Sequence, residues 1–412
     1  MTVYGTAVAP PKKSLRNVFV GIAAATLVLL GSGTTVQLVR DLPDSTLSTT
    51  VGTEIKVPGA APKLPWPPTG SAELMVEGLG RLGGSGGDSA EPIGSVAKVM
   101  TAYVILKEHP LTGDDEGPSL TVTAADVEDY EGRKATNQSL VHVEEGEKLS
   151  ERDALEALML PSANNIAHLL AIWDAGSEEA FVAKMNAAAD SLGMDDTEYS
   201  DPSGFLPTTV STAPDQVELA RAAIKMPVFA EIVELREATI PVAGKIYNYN
   251  DMLGVEGVFG IKTGSTDQAG GNLVFASRLT VGKRTLTVVG AVFNQPGANT
   301  PEQLAEVNVH VRKLLAAVRK TVKEYELLGA GPAGQVQAAW GDSATVSPAA
   351  PLKVVGWPGL SVPVTVTAGA PGPSPAAGTV VGQVEASGVR VELRTDSAIS
   401  APSTWWKLSR VS

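Results

Sequence analysis

EPIGSVAKVMTAYVILKEHP, residues 91–110, reads as the start of a buried helix that carries one awkward charge. Nearly every position from Val96 to Leu106 is apolar, yet Lys98 stands among them, three residues after Ser95. A lysine so placed must snorkel to water, find a partner, or have a chemical task. On a helix, serine and lysine three apart share a face, so the amine can reach the hydroxyl.

Two later patterns bear on the choice. Ser162-Ala163-Asn164 follows Pro161, which should break the chain between the helical runs ERDALEALML and IAHLLAIW. Side chains in such a break are free to project. Ser150 with Asp153 resembles a cap at the start of the first run. Lys262-Thr263-Gly264 closes the strand-like run VFGIKTG, where glycine lets a ligand or another backbone approach closely. Singly, the three patterns have ordinary readings: a solvated helix lysine, a helix-end cap and a strand end. Their joint occurrence, in the order Ser-x-x-Lys, Ser-x-Asn, Lys-Thr-Gly, is a catalytic signature.

Composition restricts the alternatives. The chain has 412 residues and no cysteine, which removes disulfides, thiolate metal sites and cysteine nucleophiles. Its four histidines, His109, His142, His168 and His310, show no metal-ligand spacing, so neither a metal nor a cofactor is expected. Residues 1–40 carry a charge of +4 and no acid, leaving −17 for the rest of a chain whose net charge is −13. So acidic a body argues against nucleic acid as a partner. The basic KKSLR precedes the apolar run VFVGIAAATLVLL, which GSGTTVQLV extends to about the 20 residues that cross a bilayer. An uncleaved membrane anchor is the favoured reading, with the N-terminus cytoplasmic and everything after Arg40 outside. A cleaved signal and a secreted product are the alternative.

Residues 41–70 hold six prolines with many Ser and Thr and read as an extended linker. AELMVEGLGRL alternates like a strand before the glycine-rich GGSGGDS. The Gly78-x-Gly80-x-x-Gly83 match there lacks a following helix and reads as a hairpin turn, not a dinucleotide loop. NLVFASRLTV and RTLTVVGAVF form a hairpin about Gly282-Lys283, and residues 301–325 an amphipathic helix. After about Gly329, short strands separated by Gly and Pro suggest a small all-β domain.

At this point the sequence resembles the serine-type D-alanyl-D-alanine carboxypeptidases, the low-molecular-mass penicillin-binding proteins. PIGSVAKVMTAYV is similar to their active-site segment, EGEKLSERDALEALMLPSANNIAHLLA to the segment with the second motif, and NYNDMLGVEGVFGIKTGSTDQAGGNLVFAS to the third-motif strand. LGMDDTEYSDPSGF and STAPDQVELARAA resemble the stretches between. The resemblance covers residues 70–300 and implies an α+β, transpeptidase/β-lactamase-like domain, a sheet flanked by helices beside an all-helical subdomain. It implies Ser95 as nucleophile, a neutral Lys98 as its base, Ser162 as proton relay, and Asn164 holding Lys98 and the substrate amide. Lys262, Thr263, Gly264 and Ser265 would then bind substrate: Lys262 and Thr263 the terminal carboxylate, the N–H groups of Ser95 and Ser265 the oxyanion. Implied partners are peptidoglycan stem peptides ending in D-Ala-D-Ala, β-lactam antibiotics as covalent inhibitors, and a bacterial membrane through the N-terminal segment. Gly94, Ala163 and Asn165 depart from the usual alanine, glycine and aspartate, and none removes a functional group.

The domain boundaries read from this are a cytoplasmic basic tail at 1–17, a transmembrane anchor or signal at 18–39, a linker at 40–70, the catalytic domain at 71–327 and a β-rich domain at 328–412. Rival readings are a β-lactamase, a D,D-endopeptidase or a non-catalytic penicillin- or peptidoglycan-sensing module. Neither Glu198 nor Glu218 has the setting of a deacylating glutamate, and the sensing reading sits badly with the presence of Ser95, Lys98 and Lys262 together.

Overall fold

In a computed structural model, residues 5, 15–87 and 89–410 are described. Most of the basic tail, Lys12 and Lys13 included, lies outside the described residues. Helix α1 (Leu15–Val39) has no buried residue and no acidic one. Its 25 residues are long and apolar enough to cross a membrane.

The chain divides into two compact units, one of residues 61–324 and one of residues 1–60 with 325–412. The first is built on a five-stranded antiparallel sheet in the order Val258–Thr266, Gly270–Val281, Arg284–Gln295, Ala72–Val76, Gly80–Ser85. The Gly282-Lys283 hairpin is present, with Val281 opposite Arg284 and Gly282 at φ +59°. The hairpin read at Gly78–Gly83 is also present, but its turn lies earlier than the glycine run. The chain reverses before Gly80, and Gly83 and Gly84 lie within the edge strand. A Cβ on Gly84 would come 2.8 Å from the Ala72 carbonyl oxygen, so glycine there permits the pairing.

Helices α2 (Lys98–Glu108), α3 (Ala124–Lys134), α4 (Glu151–Met159), α5 (Asn164–Ala175), α6 (Glu178–Leu192), α7 (Ala213–Ala223) and α8 (Pro227–Glu234) make up most of the remainder. Their apolar faces share one core with Val274, Ala276, Val289 and Ala291, alternate positions that point from the sheet to one side. Helix α9 (Thr300–Thr321) packs across the same strands and buries Val307, Val311, Leu314, Leu315 and Val318. Helix α3 is not evident from apolar periodicity. Nothing on α3 is fully buried, and a Thr123/Asp126 capping box holds its start.

The other unit is all-β apart from α1 and the short helix α10 (Thr404–Ser409). Its seven-stranded sheet runs Thr46–Thr49, Gly334–Gln337, Ser343–Pro348, Val389–Thr395, Val380–Ala386, Ser361–Ala368, Glu54–Lys56. The expected linker at 40–70 therefore supplies both edge strands of this sheet. At three and four residues they are too short to show a period, and edges tolerate the prolines around them. The amphipathic helix also ends earlier than the sequence pattern suggests. Residues Lys323–Leu328 form a strand paired with Leu352–Gly356.

Candidate active site

Ser95 sits in a single 3₁₀ turn, Gly94–Ala97, and Lys98 opens α2 directly behind it. Gly94 has φ +54°, where a side chain is strained, so glycine in place of the usual alanine has a backbone reason. Lys98 is fully buried. Its Nζ lies 2.9 Å from Ser95 Oγ, 2.6 Å from Asn164 Oδ1 and 2.8 Å from the Ser203 carbonyl oxygen. Burial pushes its pKa well below the usual lysine value and the nearby Lys262 lowers it further, while Asp201 acts in the opposite direction.

The Ser203 carbonyl belongs to a loop pinned from within. Asp201 accepts hydrogen bonds from the N–H and hydroxyl of Ser203, at 3.1 and 2.6 Å, and from Phe205 N–H and Thr209 Oγ1, at 3.0 and 2.6 Å. Thr101, on α2, donates to the Pro202 carbonyl at 2.6 Å. At Gly204, with φ +76°, a Cβ would overlap the Gly94 carbonyl oxygen. The loop and the serine turn thus meet backbone to backbone.

Helix α4 starts in a complete Ser150/Asp153 capping box and stops before Pro161, and α5 begins at Asn164. Between them Ser162 has φ +67°, a left-handed conformation uncommon for a residue with a side chain. Its hydroxyl is buried and has no hydrogen-bond partner among the described residues. The Asn164 carboxamide accepts from Lys98 and donates from Nδ2 to Gln138 Oε1 at 2.7 Å. Asn165 points the other way and bonds both main-chain groups of Val141, at 3.1 and 2.9 Å. Its amide has donor and acceptor for that pairing, which an ionised aspartate would lack.

Lys262 and Thr263 lie on the strand facing this turn, opposite Val274 and Leu273. Lys262 is 2 % exposed, and burial lowers its pKa to about 7. Gly264 is held against the serine turn so closely that a Cβ would come 3.0 Å from Ser95 N. Reciprocally, a Cβ on Gly94 would stand 3.2 Å from Ser265 N. The main-chain N–H groups of Ser95 and Ser265 are therefore near neighbours. Asn272 ties strand to turn, donating to the Ile93 carbonyl at 3.3 Å and accepting from Asn294 N–H at 2.8 Å.

These residues surround a cleft of about 590 Å³ lined by Ser95, Ser162, Asn164, Thr263, Gly264 and Ser265. Lys98 is buried behind Ser95 and Asn164, and Lys262 is buried with its Nζ 3.0 Å from the Thr263 carbonyl oxygen. Gln138 and Ser139 add a polar wall, while Phe205, Leu206 and Tyr249 add an apolar one. All eight residues singled out from the sequence come together here. Against known proteins, the family described as D-alanyl-D-alanine carboxypeptidase, Peptidase S11, matches residues 84–296. The chain belongs to this family. It is 33 % identical over 222 residues to a D-alanyl-D-alanine carboxypeptidase of Streptomyces sp. (strain K15), covering 50 % of this chain and 73 % of that one. A D-alanyl-D-alanine endopeptidase of Pseudomonas aeruginosa is 30 % identical over 231 residues, covering 54 % and 71 %. Among solved structures, a D-alanyl-D-alanine carboxypeptidase from Mycobacterium tuberculosis superposes with a TM-score of 0.53 at 28 % identity, over 63 % of this chain and 94 % of that one. As a member of this family of penicillin-recognising serine hydrolases, the chain has the expected α+β fold.

Sequence reasoning missed the Ser203 carbonyl and Gln138. The first acts through its backbone and leaves no side-chain signature. SDPSGF nonetheless pairs a turn-forming aspartate with a glycine, a sign of a tightly wound loop. Gln138 sits in a stretch with no period, and nothing in its neighbours marks it.

Proposed function

We propose that the protein removes the terminal D-Ala from peptidoglycan stem peptides through an acyl-enzyme on Ser95, and that penicillin acylates the same serine. The observation that carries this reading is the set of partners around Lys98. A neutral amine has two N–H groups and one lone pair. The Asn164 and Ser203 carbonyl oxygens accept the two N–H groups, which leaves the lone pair for the Ser95 hydroxyl. A buried, neutral Lys98 can then take the Ser95 proton as Oγ attacks the carbonyl carbon of the penultimate D-Ala.

The oxyanion that forms is received by the N–H groups of Ser95 and Ser265, each donor worth about 3–4 kcal/mol in such sites. Ser162, whose hydroxyl has no partner among the described residues, carries the proton onward to the departing amine of D-Ala. Lys262, in its cationic form, and Thr263 hold the terminal carboxylate. Lys98, neutral again, then takes a proton from the water that attacks the ester and passes it to Ser95 Oγ as the ester bond breaks, which restores both groups. We assign the residues after Arg40 to the outside of a bacterial membrane that α1 anchors.

Fluorescent penicillin labelling of the full chain, with assay of D-Ala released from a peptide ending in D-Ala-D-Ala, tests the reading. Ser95→Ala should abolish both signals, a loss of at least about 10⁴-fold, and label retained by that variant would show that the nucleophile lies elsewhere. The endopeptidase relatives support a second reading, cleavage of cross-linked peptides by the same residues. A cross-linked muropeptide in the same assay separates the two. β-Lactamase action is less well supported. Neither Glu198 nor Glu218 lines the cleft. Glu198 is bridged to Val210, and Glu218 bonds Arg221 at 2.7 Å.

A further inference from the structure

The orientation of the Asn164 carboxamide decides whether Lys98 can act as a base. Oxygen and NH₂ are nearly the same size, so packing alone does not choose between them. Turned over, the amide would donate Nδ2–H into the Lys98 lone pair, and one Lys98 N–H would lose its acceptor. A chain of hydrogen bonds behind Asn164 prevents this. Thr136 Oγ1 donates its single proton to the Arg133 carbonyl oxygen at 2.9 Å. Toward Gln138, at 2.9 Å, Thr136 can therefore only accept, so Gln138 turns its NH₂ to Thr136 and its Oε1 to Asn164.

The Arg133 guanidinium, a donor only, stands 3.5 Å from the same Oε1 and favours oxygen there. Arg133 is itself held by Asp129 at 2.6 Å and Glu178 at 3.5 Å, and His168 fixes Glu178 at 2.7 Å. The segment carrying Gln138 is clamped to the first turn of α5. Ser139 accepts from Asn164 N–H at 2.8 Å, and Val141 pairs with Asn165. Asn137, at φ +53°, makes the kink next to Gln138.

We propose that Gln138 is a positioning residue. It fixes the Asn164 carboxamide with Oδ1 toward Lys98 and so keeps the Lys98 lone pair on Ser95. The inference rests on Lys98 being the base.

The test is the acylation rate of the full chain by fluorescent penicillin across pH, with kcat and KM for D-Ala release, in Gln138→Met and Gln138→Glu. The methionine variant keeps the length and loses the acceptor; the glutamate variant keeps an acceptor facing Asn164. Gln138→Met should acylate about 10- to 100-fold more slowly, with the loss in kcat. Gln138→Glu should recover the rate on the pH plateau. Its acid limb should move to higher pH, because a carboxylate near Lys98 favours the ammonium form. Thermal unfolding of both variants close to that of the parent would confirm intact folds.

A wild-type rate and pH profile in Gln138→Met would overturn the proposal. So would a loss confined to KM, which marks a substrate contact, or failure of Gln138→Glu to recover, which marks packing. Lys98→Met separates the premise from the inference. If it still acylates at the parental rate, the base assignment falls; if it is inactive while Gln138→Met is normal, only the role of Gln138 falls.

Discussion

The β-rich unit fills its core with Val336, Val346, Val354, Val384 and Leu393, all at most 1 % exposed. The buried hydroxyls of Ser45 and Thr395 there donate to the Pro373 and Ala376 carbonyls, at 2.8 and 2.6 Å. Around its cleft the other unit buries two lysines, neither ion-paired with a carboxylate among the described residues, and a serine in a left-handed conformation with no hydrogen-bond partner among them. One interior is arranged for stability. In the other, groups that destabilise the folded state are the groups to which we assign chemistry, and the surrounding packing holds them in place.

Lys262→Met tests this contrast most strongly. It should lower kcat/KM about 100-fold or more through loss of the carboxylate partner, yet it should stabilise the protein. With a folded pKa of about 7 and an unfolded value near 10.4, the unfolded chain binds more protons across that window. Wild-type stability therefore rises with pH from about 7 to 10. At pH 6 the burial penalty is fully present, and the variant should be the more stable by up to about 5 kcal/mol. The gap should shrink as pH passes 7 and close near 10, which denaturant unfolding at several pH values would reveal. The same titration sets an alkaline limb near pH 7 in the kcat/KM of the free wild-type enzyme, because carboxylate binding needs the cation.

Leu393→Ala tests the other side of the comparison. Truncation of this fully buried side chain should destabilise its unit by about 2–5 kcal/mol, while penicillin labelling at 25 °C stays unchanged. A coupled fall in labelling would show that the two interiors are not independent. Gly94→Ala should have the smallest effect. A side chain at φ +54° costs about 1–3 kcal/mol, and a Cβ 3.2 Å from Ser265 N crowds the oxyanion donors. A modest drop in melting temperature with a larger drop in acylation rate is expected, and unchanged acylation would place those donors elsewhere.

Much of the cleft could be read without coordinates because its parts are local. Ser95 and Lys98 share one face through helical spacing, Pro161 opens the break that sets Ser162 beside the cleft, and Gly264 marks a strand built for close approach. Helix α3 and the strands Thr46–Thr49 and Glu54–Lys56 could not be read. The helix rests on a cap more than on an apolar stripe, and strands so short carry no period.

Residue order alone lines up the groups to which we assign chemistry and sets a lysine where apolar residues would bury it. The partners of that lysine come from packing. The Ser203 carbonyl arrives from 105 residues away and the Asn164 carboxamide from 66, and Gln138 closes on Asn164 from a loop without pattern. Hydrogen-bond direction depends on which donors and acceptors meet in space. Such meetings, made by chain segments far apart, leave no trace in spacing or periodicity.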